Sequence, residues 1–129
     1  MKSIKKNSGQ ALVEMALVLP LLILLVCGIV EFGRIYNANL VVTNASREGA
    51  RKAVVGGSDS EILSAVNTAA QTLNSASMTV TITPSQINRY YGEQAEVQIS
   101  YNLSIVTPVF SSLLPNPFPV SAKTVMRVE

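Results

Sequence analysis

The stretch GQALVEMALVLPLLILLVCGIV, residues 9–30, decides the architecture of this chain. The segment from residue 11 to residue 30 is 20 residues long, and Glu14 is its only charged residue. As an α-helix that rises about 1.5 Å per residue, this segment is roughly 30 Å long, which matches the hydrocarbon thickness of a bilayer. The sequence therefore predicts one membrane-spanning helix.

A short basic leader precedes this helix. Residues 1–9 carry three lysines as their only charges, and they end in glycine. We interpret them as a peptide that is cut after Gly9, which makes Gln10 the new N-terminus. Basic residues before a span favour a cytoplasmic N-terminus, so we expect the chain after the span on the opposite side of the membrane.

Glu14 lies inside the apolar run, where an ionised carboxylate is costly. Insertion scales assign ~2.5–3.5 kcal/mol to a charged side chain near the bilayer centre. We therefore expect this carboxylate to have a partner and a function. Gln10 and Glu14 are four residues apart and share a helical face. The plainer interpretation is a carboxylate at headgroup level, close to the start of the run, without a role in assembly.

Pro20 lies in the middle of the predicted span. Proline lacks the amide donor, and its ring crowds the carbonyl four residues earlier, here that of Ala16. The sequence therefore predicts a helix kink or a loosened turn near Ala16, which membrane helices tolerate.

Helical patterning continues beyond the apolar run. No proline occurs between Phe32 and Val55, and small or apolar residues recur there every three or four positions. These residues are Ile35, Ala38, Val42, Ala45, Gly49 and Ala53. The pattern predicts one helix from Gln10 to about Val55, whose second half packs closely against another element. Gly56 and Gly57 are expected to end it.

Two further kinds of element follow. A capping box, Ser58-Asp59-Ser60-Glu61, predicts a second helix from Asp59 to Asn74. Three later segments alternate apolar and polar residues, which is typical of strands. They are Met78–Thr83, a run from about Gln94 to Ile105, and Val120–Val128.

The prolines at positions 108, 115, 117 and 119 predict an irregular loop between the last two strands. Consecutive strands with one apolar face each favour an antiparallel meander that the helices cover. The predicted fold class is therefore α+β: a long N-terminal membrane-spanning helix, a second shorter helix and a three-stranded antiparallel β-sheet.

Composition excludes several classes of function. The chain has a formal charge of +2, with 10 basic and 8 acidic residues, and three of the basic residues lie in the leader. No later cluster of lysine or arginine predicts a nucleic-acid partner. The chain has no histidine, and Cys27 is its single cysteine. We therefore predict no enzyme, no catalytic residue, no cofactor, no metal site and no intrachain disulfide.

Three motifs carry a resemblance to a known family. They are GQALVEMALVLP at residues 9–20, GIVEFGR at residues 28–34 and TNASREGAR at residues 43–51. Together they resemble the TadE-like family, pilin-like proteins of the tight-adherence branch of type IV filament systems.

The resemblance implies a function and partners. A prepilin peptidase would cut between Gly9 and Gln10, and Glu14 would be the subunit assembly residue. Other pilin-like subunits would bind through helix packing. The chain would divide into a prepilin-type leader (1–9), a transmembrane and assembly helix (10–30) and a pilin-like extracytoplasmic domain (31–129).

The resemblance also implies a place in the cell. The protein would lie in the bacterial cytoplasmic membrane, with the N-terminus inside and the C-terminal domain outside, and would enter an extracellular filament. The chain is much longer than the major pilins of this branch, so a minor or accessory component is expected.

Alternatives to this interpretation remain. The main one is an uncleaved single-pass envelope protein whose outer domain binds a partner. A secretory signal is disfavoured because residues 24–34 lack a small-x-small cleavage site. A lipoprotein signal ending at Cys27 is disfavoured because Val26 is larger than the residue expected before such a cysteine.

Overall fold

The computed structural model describes residues 4–129, and their arrangement confirms the predicted α+β layout. A long N-terminal helix and a shorter helix pack on a three-stranded antiparallel sheet. The helices are α1 (Ile4–Val54), α2 (Asp59–Ala69) and α3 (Pro108–Leu113), and the strands are β1 (Met78–Thr83), β2 (Gln94–Leu103) and β3 (Phe118–Arg127).

The long helix α1 ends at the predicted glycines. Gly56 has a φ of +80°, and its amide donates to the carbonyl of Ala53 at 3.3 Å. The amide of Gly57 donates to the carbonyl of Lys52 at 3.0 Å. This Schellman arrangement needs a left-handed residue, which glycine supplies without steric cost. Helix α1 includes residues 4–9 of the leader, so it begins before the predicted Gln10.

The second helix α2 begins with the predicted capping box. The amide of Glu61 donates to Ser58 Oγ at 3.3 Å, and the amide of Ser58 donates to Glu61 Oε2 at 2.7 Å. The predicted end at Asn74 was wrong, because α2 ends at Ala69. The Asn74 side chain instead accepts from the amide of Ala76 at 3.1 Å, a turn interaction that competes with helix.

The sheet has the order β1-β2-β3, with both pairs antiparallel. Ile99 in the central strand stands opposite Val80 in β1 and Ala122 in β3. One face of β2 is buried, and it is the predicted face: Ala95, Val97, Ile99, Tyr101 and Leu103. The meander is therefore confirmed, with its apolar face turned toward the helices.

The proline-rich connection is more regular than predicted. Helix α3 begins at Pro108. Proline has no amide N–H, and in the first helical turn an N–H would have no acceptor within the helix, so nothing is lost there. The prediction of an irregular loop was therefore wrong for residues 108–113. Pro119 lies inside β3, and this edge strand accommodates a residue without an N–H.

The core forms where the second half of α1 meets α2 and the sheet. Gly49 lies at this junction. A Cβ atom added to Gly49 would lie 2.7 Å from Val66 Cγ2 and 3.1 Å from Val97 Cγ1. Val42, Ala45 and the other members of the predicted small-residue stripe surround this contact, and most are fully buried. Small residues therefore let the helices and the sheet approach each other closely.

One buried hydroxyl also joins α1 to the sheet. Ser46 is fully buried, and its Oγ donates to the carbonyl of Thr43 at 2.8 Å. The same Oγ lies 2.7 Å from Thr124 Oγ1 in β3. Because the hydroxyl has partners on both elements, its burial carries no unsatisfied polar group.

Candidate functional site

The first half of α1 extends away from the folded core. All side chains of residues 7–26 are exposed, including large apolar ones such as Leu17, which is 73% exposed. Within the described residues, α1 is long and apolar enough to cross a membrane, and its most apolar window has a mean hydropathy of 2.7. So many exposed leucine, isoleucine and valine side chains need an apolar medium. This exposed part of α1 therefore indicates that the helix anchors the protein in a membrane.

The predicted cleavage and assembly residues lie together at the start of this surface. Gln10 Nε2 donates to Glu14 Oε1 at 3.2 Å, which places both side chains on one helical face as predicted. Both are exposed, and a Cβ atom added to Gly9 would meet no atom within 4 Å. The Glu14 carboxylate is therefore open to a partner from another molecule.

An apolar depression lies directly beside Glu14. Its volume is about 330 Å³, and its lining residues are Ala11, Glu14, Met15, Val18, Leu19 and Leu22. A neighbouring helix with complementary side chains could fill such a depression and cover the carboxylate at the same time.

Pro20 does not end the helix. Residues on both sides of it belong to the continuous helix Ile4–Val54. The kink expected near Ala16 stays a prediction.

A second carboxylate, Glu31, occupies the end of the apolar run and was not predicted as a site residue. Only 2% of Glu31 is exposed. It accepts from Thr107 Oγ1 at 2.6 Å and from Arg34 Nη1 at 2.7 Å. This carboxylate therefore fixes the segment before α3 to the side of α1.

The hydrogen bond from Thr107 is the main reason that the pKa of Glu31 lies below its usual value. Burial acts in the opposite direction, and the charge of Arg34 lowers the pKa further. The sequence does show Glu31 and Arg34 three residues apart after the apolar run. It gives no sign of Thr107, which is 76 residues away from Glu31 along the chain.

Helix α3 lies against α1 just below this carboxylate. The Phe110 ring meets α1 at Gly28, where an added Cβ atom would lie 3.1 Å from Phe110 Cζ. The rings of Phe110 and Phe32 have centroids 6.3 Å apart and an edge-to-face angle of 72°. Gly28 thus provides the space in which an aromatic side chain of α3 contacts the exposed apolar part of α1.

Three further residues with reactive or aromatic side chains lie outside the Gln10–Glu14 pair. Cys27 is a half-buried free thiol beside α3. Tyr90 and Tyr91 are 62% and 86% exposed in the connection between β1 and β2. Within residues 4–129, no group of three or more histidine, cysteine, aspartate or glutamate side chains is placed to hold a metal ion.

Comparison with known families agrees with the resemblance seen in the sequence. The model of a family described as TadE-like protein matches residues 9–51, which is one third of the chain. The match confirms the resemblance over that stretch, which includes Gly9, Gln10, Glu14 and Glu31. No curated protein and no solved structure matches the chain. Similarity to this family indicates a structural, pilin-like protein associated with the tight-adherence pilus.

Proposed function

We propose that this protein is a pilin-like structural subunit of a tight-adherence type IV filament or its secretion apparatus, as a minor or accessory component. One observation carries the proposal. The family match begins at Gly9, the residue at which the basic leader ends, and the helix that follows exposes an apolar surface with Glu14 at its start. A removable leader, an assembly helix and a folded outer domain are the parts that such a subunit needs.

Cleavage after Gly9 would create a terminal amine that can pair with the Glu14 carboxylate. The new amine of Gln10 would be largely protonated at neutral pH, because an unperturbed terminal amine has a pKa of about 7.7–8.0. Glu14 is exposed, and within residues 4–129 of the precursor its carboxylate accepts a hydrogen bond from the Gln10 side chain. The ammonium group of one subunit would therefore pair with the Glu14 carboxylate of its neighbour.

This pairing would set the axial register between subunits. Among packed apolar helices, a carboxylate without a partner costs several kcal/mol, so a subunit in the wrong register would be rejected. The apolar side chains that follow Glu14 would supply the association by packing against neighbouring helices. The core of the domain contains none of the side chains between residues 10 and 30, so it would be unchanged by this packing.

The proposal includes a location and partners. The leader would lie in the cytoplasm, residues 10–30 would cross the bacterial cytoplasmic membrane, and residues 31–129 would form the extracytoplasmic domain. A prepilin peptidase would release the mature chain, and other pilin-like subunits would receive it in an extracellular filament.

Mass spectrometry of the protein from its native membrane tests the cleavage. We expect a mature N-terminus at Gln10 in the wild type and a retained leader in the Gly9→Leu variant. Gly33→Leu is the matched control, because an added Cβ atom meets no atom within 4 Å at either glycine. An intact leader in the wild type would contradict the proposal and favour the uncleaved envelope protein.

A charge-neutral substitution tests the assembly step. We expect Glu14→Gln to keep cleavage and the folded domain but to lower the amount of protein recovered in sheared filaments. Glu48→Gln is the control, because Glu48 lies on the same helix with its side chain 45% exposed. Equal recovery of the two variants would show that Glu14 has no role in assembly.

A further inference from the structure

We propose that the α3 segment, defined as residues 106–114, inserts into the membrane leaflet nearest the folded domain and lies among lipid acyl chains beside α1. The protein would then contact the bilayer twice, through the span and through this short helix. The inference rests on the membrane-anchored state of α1. It depends neither on cleavage of the leader nor on filament assembly.

The depth of α3 along α1 is the first argument. Pro108, Val109 and Phe110 form one wall of an open groove of about 450 Å³. The facing wall consists of α1 residues from Leu19 to Cys27, all of them within the predicted span. Ile23 in this wall precedes Glu31 by eight residues, which is roughly 12 Å along a helix axis. When these residues of α1 are in hydrocarbon, α3 is at the same depth.

The chemistry of the segment is the second argument. No charged residue occurs between Glu96 and Lys123. Val106, Val109 and Leu113 are 71%, 48% and 73% exposed, and Val109 adjoins the exposed apolar residues of α1 at the groove. Apolar side chains of this kind are stabilised in lipid and not in water.

The polar groups of the segment are the third argument, because lipid offers them no partners. Ser111 Oγ donates to the carbonyl of Pro108, and Ser112 Oγ donates to the carbonyl of Val109, both at 2.8 Å. The amides of Ser111 and Leu114 donate to carbonyls four residues earlier, at 2.9 Å and 2.8 Å. Both serine hydroxyls are therefore satisfied inside the helix.

The Glu31 contacts explain how the segment is held at this depth. Thr107 donates to the buried carboxylate at the top of α3, so the charge is covered by protein where it would otherwise face the membrane boundary. Arg34, the counter-charge, lies three residues after Glu31 on α1 and keeps 37% of its side chain exposed. The charged pair marks the boundary, and α3 extends from it along the apolar helix.

Fluorescence quenching tests the inference, because the protein contains no tryptophan. Single tryptophans are introduced into the full chain by Leu113→Trp, Leu21→Trp and Ile87→Trp, at side chains that are 73%, 68% and 84% exposed. Each variant is reconstituted at high dilution into phosphatidylcholine vesicles whose acyl chains are brominated. Acrylamide is the aqueous quencher. We expect brominated lipid to quench L21W and L113W strongly and I87W weakly, with the opposite order for acrylamide.

Each other outcome would overturn the inference in a distinct way. If L21W is quenched by lipid but L113W behaves like I87W, the span is correct and α3 lies in water. If L113W is shielded from both quenchers, a second protein copy covers the segment instead of lipid. If L21W is not quenched by lipid, the membrane anchor fails together with the inference.

Discussion

The two halves of α1 are one continuous helix, but they meet different surroundings. Between residues 10 and 30 the exposed side chains are mostly large and apolar, and Gly28 is the only buried residue. Between residues 31 and 54 the buried side chains are mostly small, and the exposed ones are mixed. A helix in water buries its large apolar residues. The reversed pattern of the first half shows that it is built for an apolar medium.

The comparison between the two halves of α1 also distinguishes the helix backbone from the packing of the side chains. Hydrogen bonding within the helix does not depend on what surrounds it, so α1 passes from one medium to the other without interruption. The surroundings decide only which side chains are stable. Leu22 and Leu40 are 52% and 54% exposed in the same helix, yet we expect one in lipid and the other in water.

The largest expected effect comes from placing a charge at each of these two leucines. Leu22→Asp should make membrane insertion less favourable by ~2.5–3.5 kcal/mol, because an ionised group near the bilayer centre loses its hydration. Leu40→Asp should leave insertion unchanged. The measurement is a glycosylation-mapping insertion assay on residues 7–54, which contain both sites. Equal insertion of the two variants would mean that both halves lie in one medium.

A second prediction concerns the close contact of the second half with α2 and β2. Gly49→Ala should lower the free energy of unfolding by about 1–3 kcal/mol, because the new methyl group overlaps Val66 and Val97. Gly33→Ala is the matched control on the same helix, where the added methyl group is in open space. It should stabilise the helix by roughly 0.5–1 kcal/mol through its higher propensity.

Denaturation of the full chain in detergent micelles, followed by circular dichroism, measures both glycine variants. The predicted difference between the two halves would be contradicted if the G49A variant were as stable as the G33A variant. Such a result would mean that α1, α2 and β2 separate at no cost and that the second half of α1 is not part of a tightly packed core.

Local signals explain why most of the fold was predicted from the sequence. The capping box at Ser58 and Glu61, the glycines after α1 and the alternation in β2 each depend on residues a few positions apart. The end of α2 was missed because the apolar pattern continues to Leu73, whereas the amide of Leu73 donates to the carbonyl of Ala70 at 2.9 Å in a turn. Helix α3 was not predicted, because the prolines from Pro108 to Pro119 favour an irregular connection, although the first helical turn accepts proline.

The candidate site also has a part that the sequence predicts and a part that it does not predict. Gly9, Gln10 and Glu14 are neighbours in the chain, so their arrangement on one helical face followed from helix geometry. Glu31 is different, because its site depends on Thr107, from a distant connection. Only the folded sheet brings that connection to α1, and no local pattern predicts the contact.

The smallest expected effect is a pH dependence confined to the water-exposed domain. Hydrogen bonds from the amide and then the hydroxyl of Ser58 lower the pKa of the Glu61 carboxyl, with a smaller contribution from the charge of Lys52. A carboxyl with a lowered pKa in the folded state binds its proton less readily there than in the unfolded chain. Its contribution to stability is therefore present above the ordinary glutamate pKa and is lost as the pH falls through the lower, folded value.

Thermal unfolding of the domain between pH 6 and pH 3, roughly the range that spans an ordinary glutamate pKa, measures this contribution. Glu61→Gln should flatten the decline below about pH 4.5, because glutamine also accepts from the Ser58 amide in a capping box but does not titrate. Glu14→Gln should leave the decline unchanged, because Glu14 lies in the half of α1 that makes no contact with the core. If E14Q flattened the curve as much as E61Q, the first half of α1 would contribute to the stability of the domain, and the two halves would not be independent.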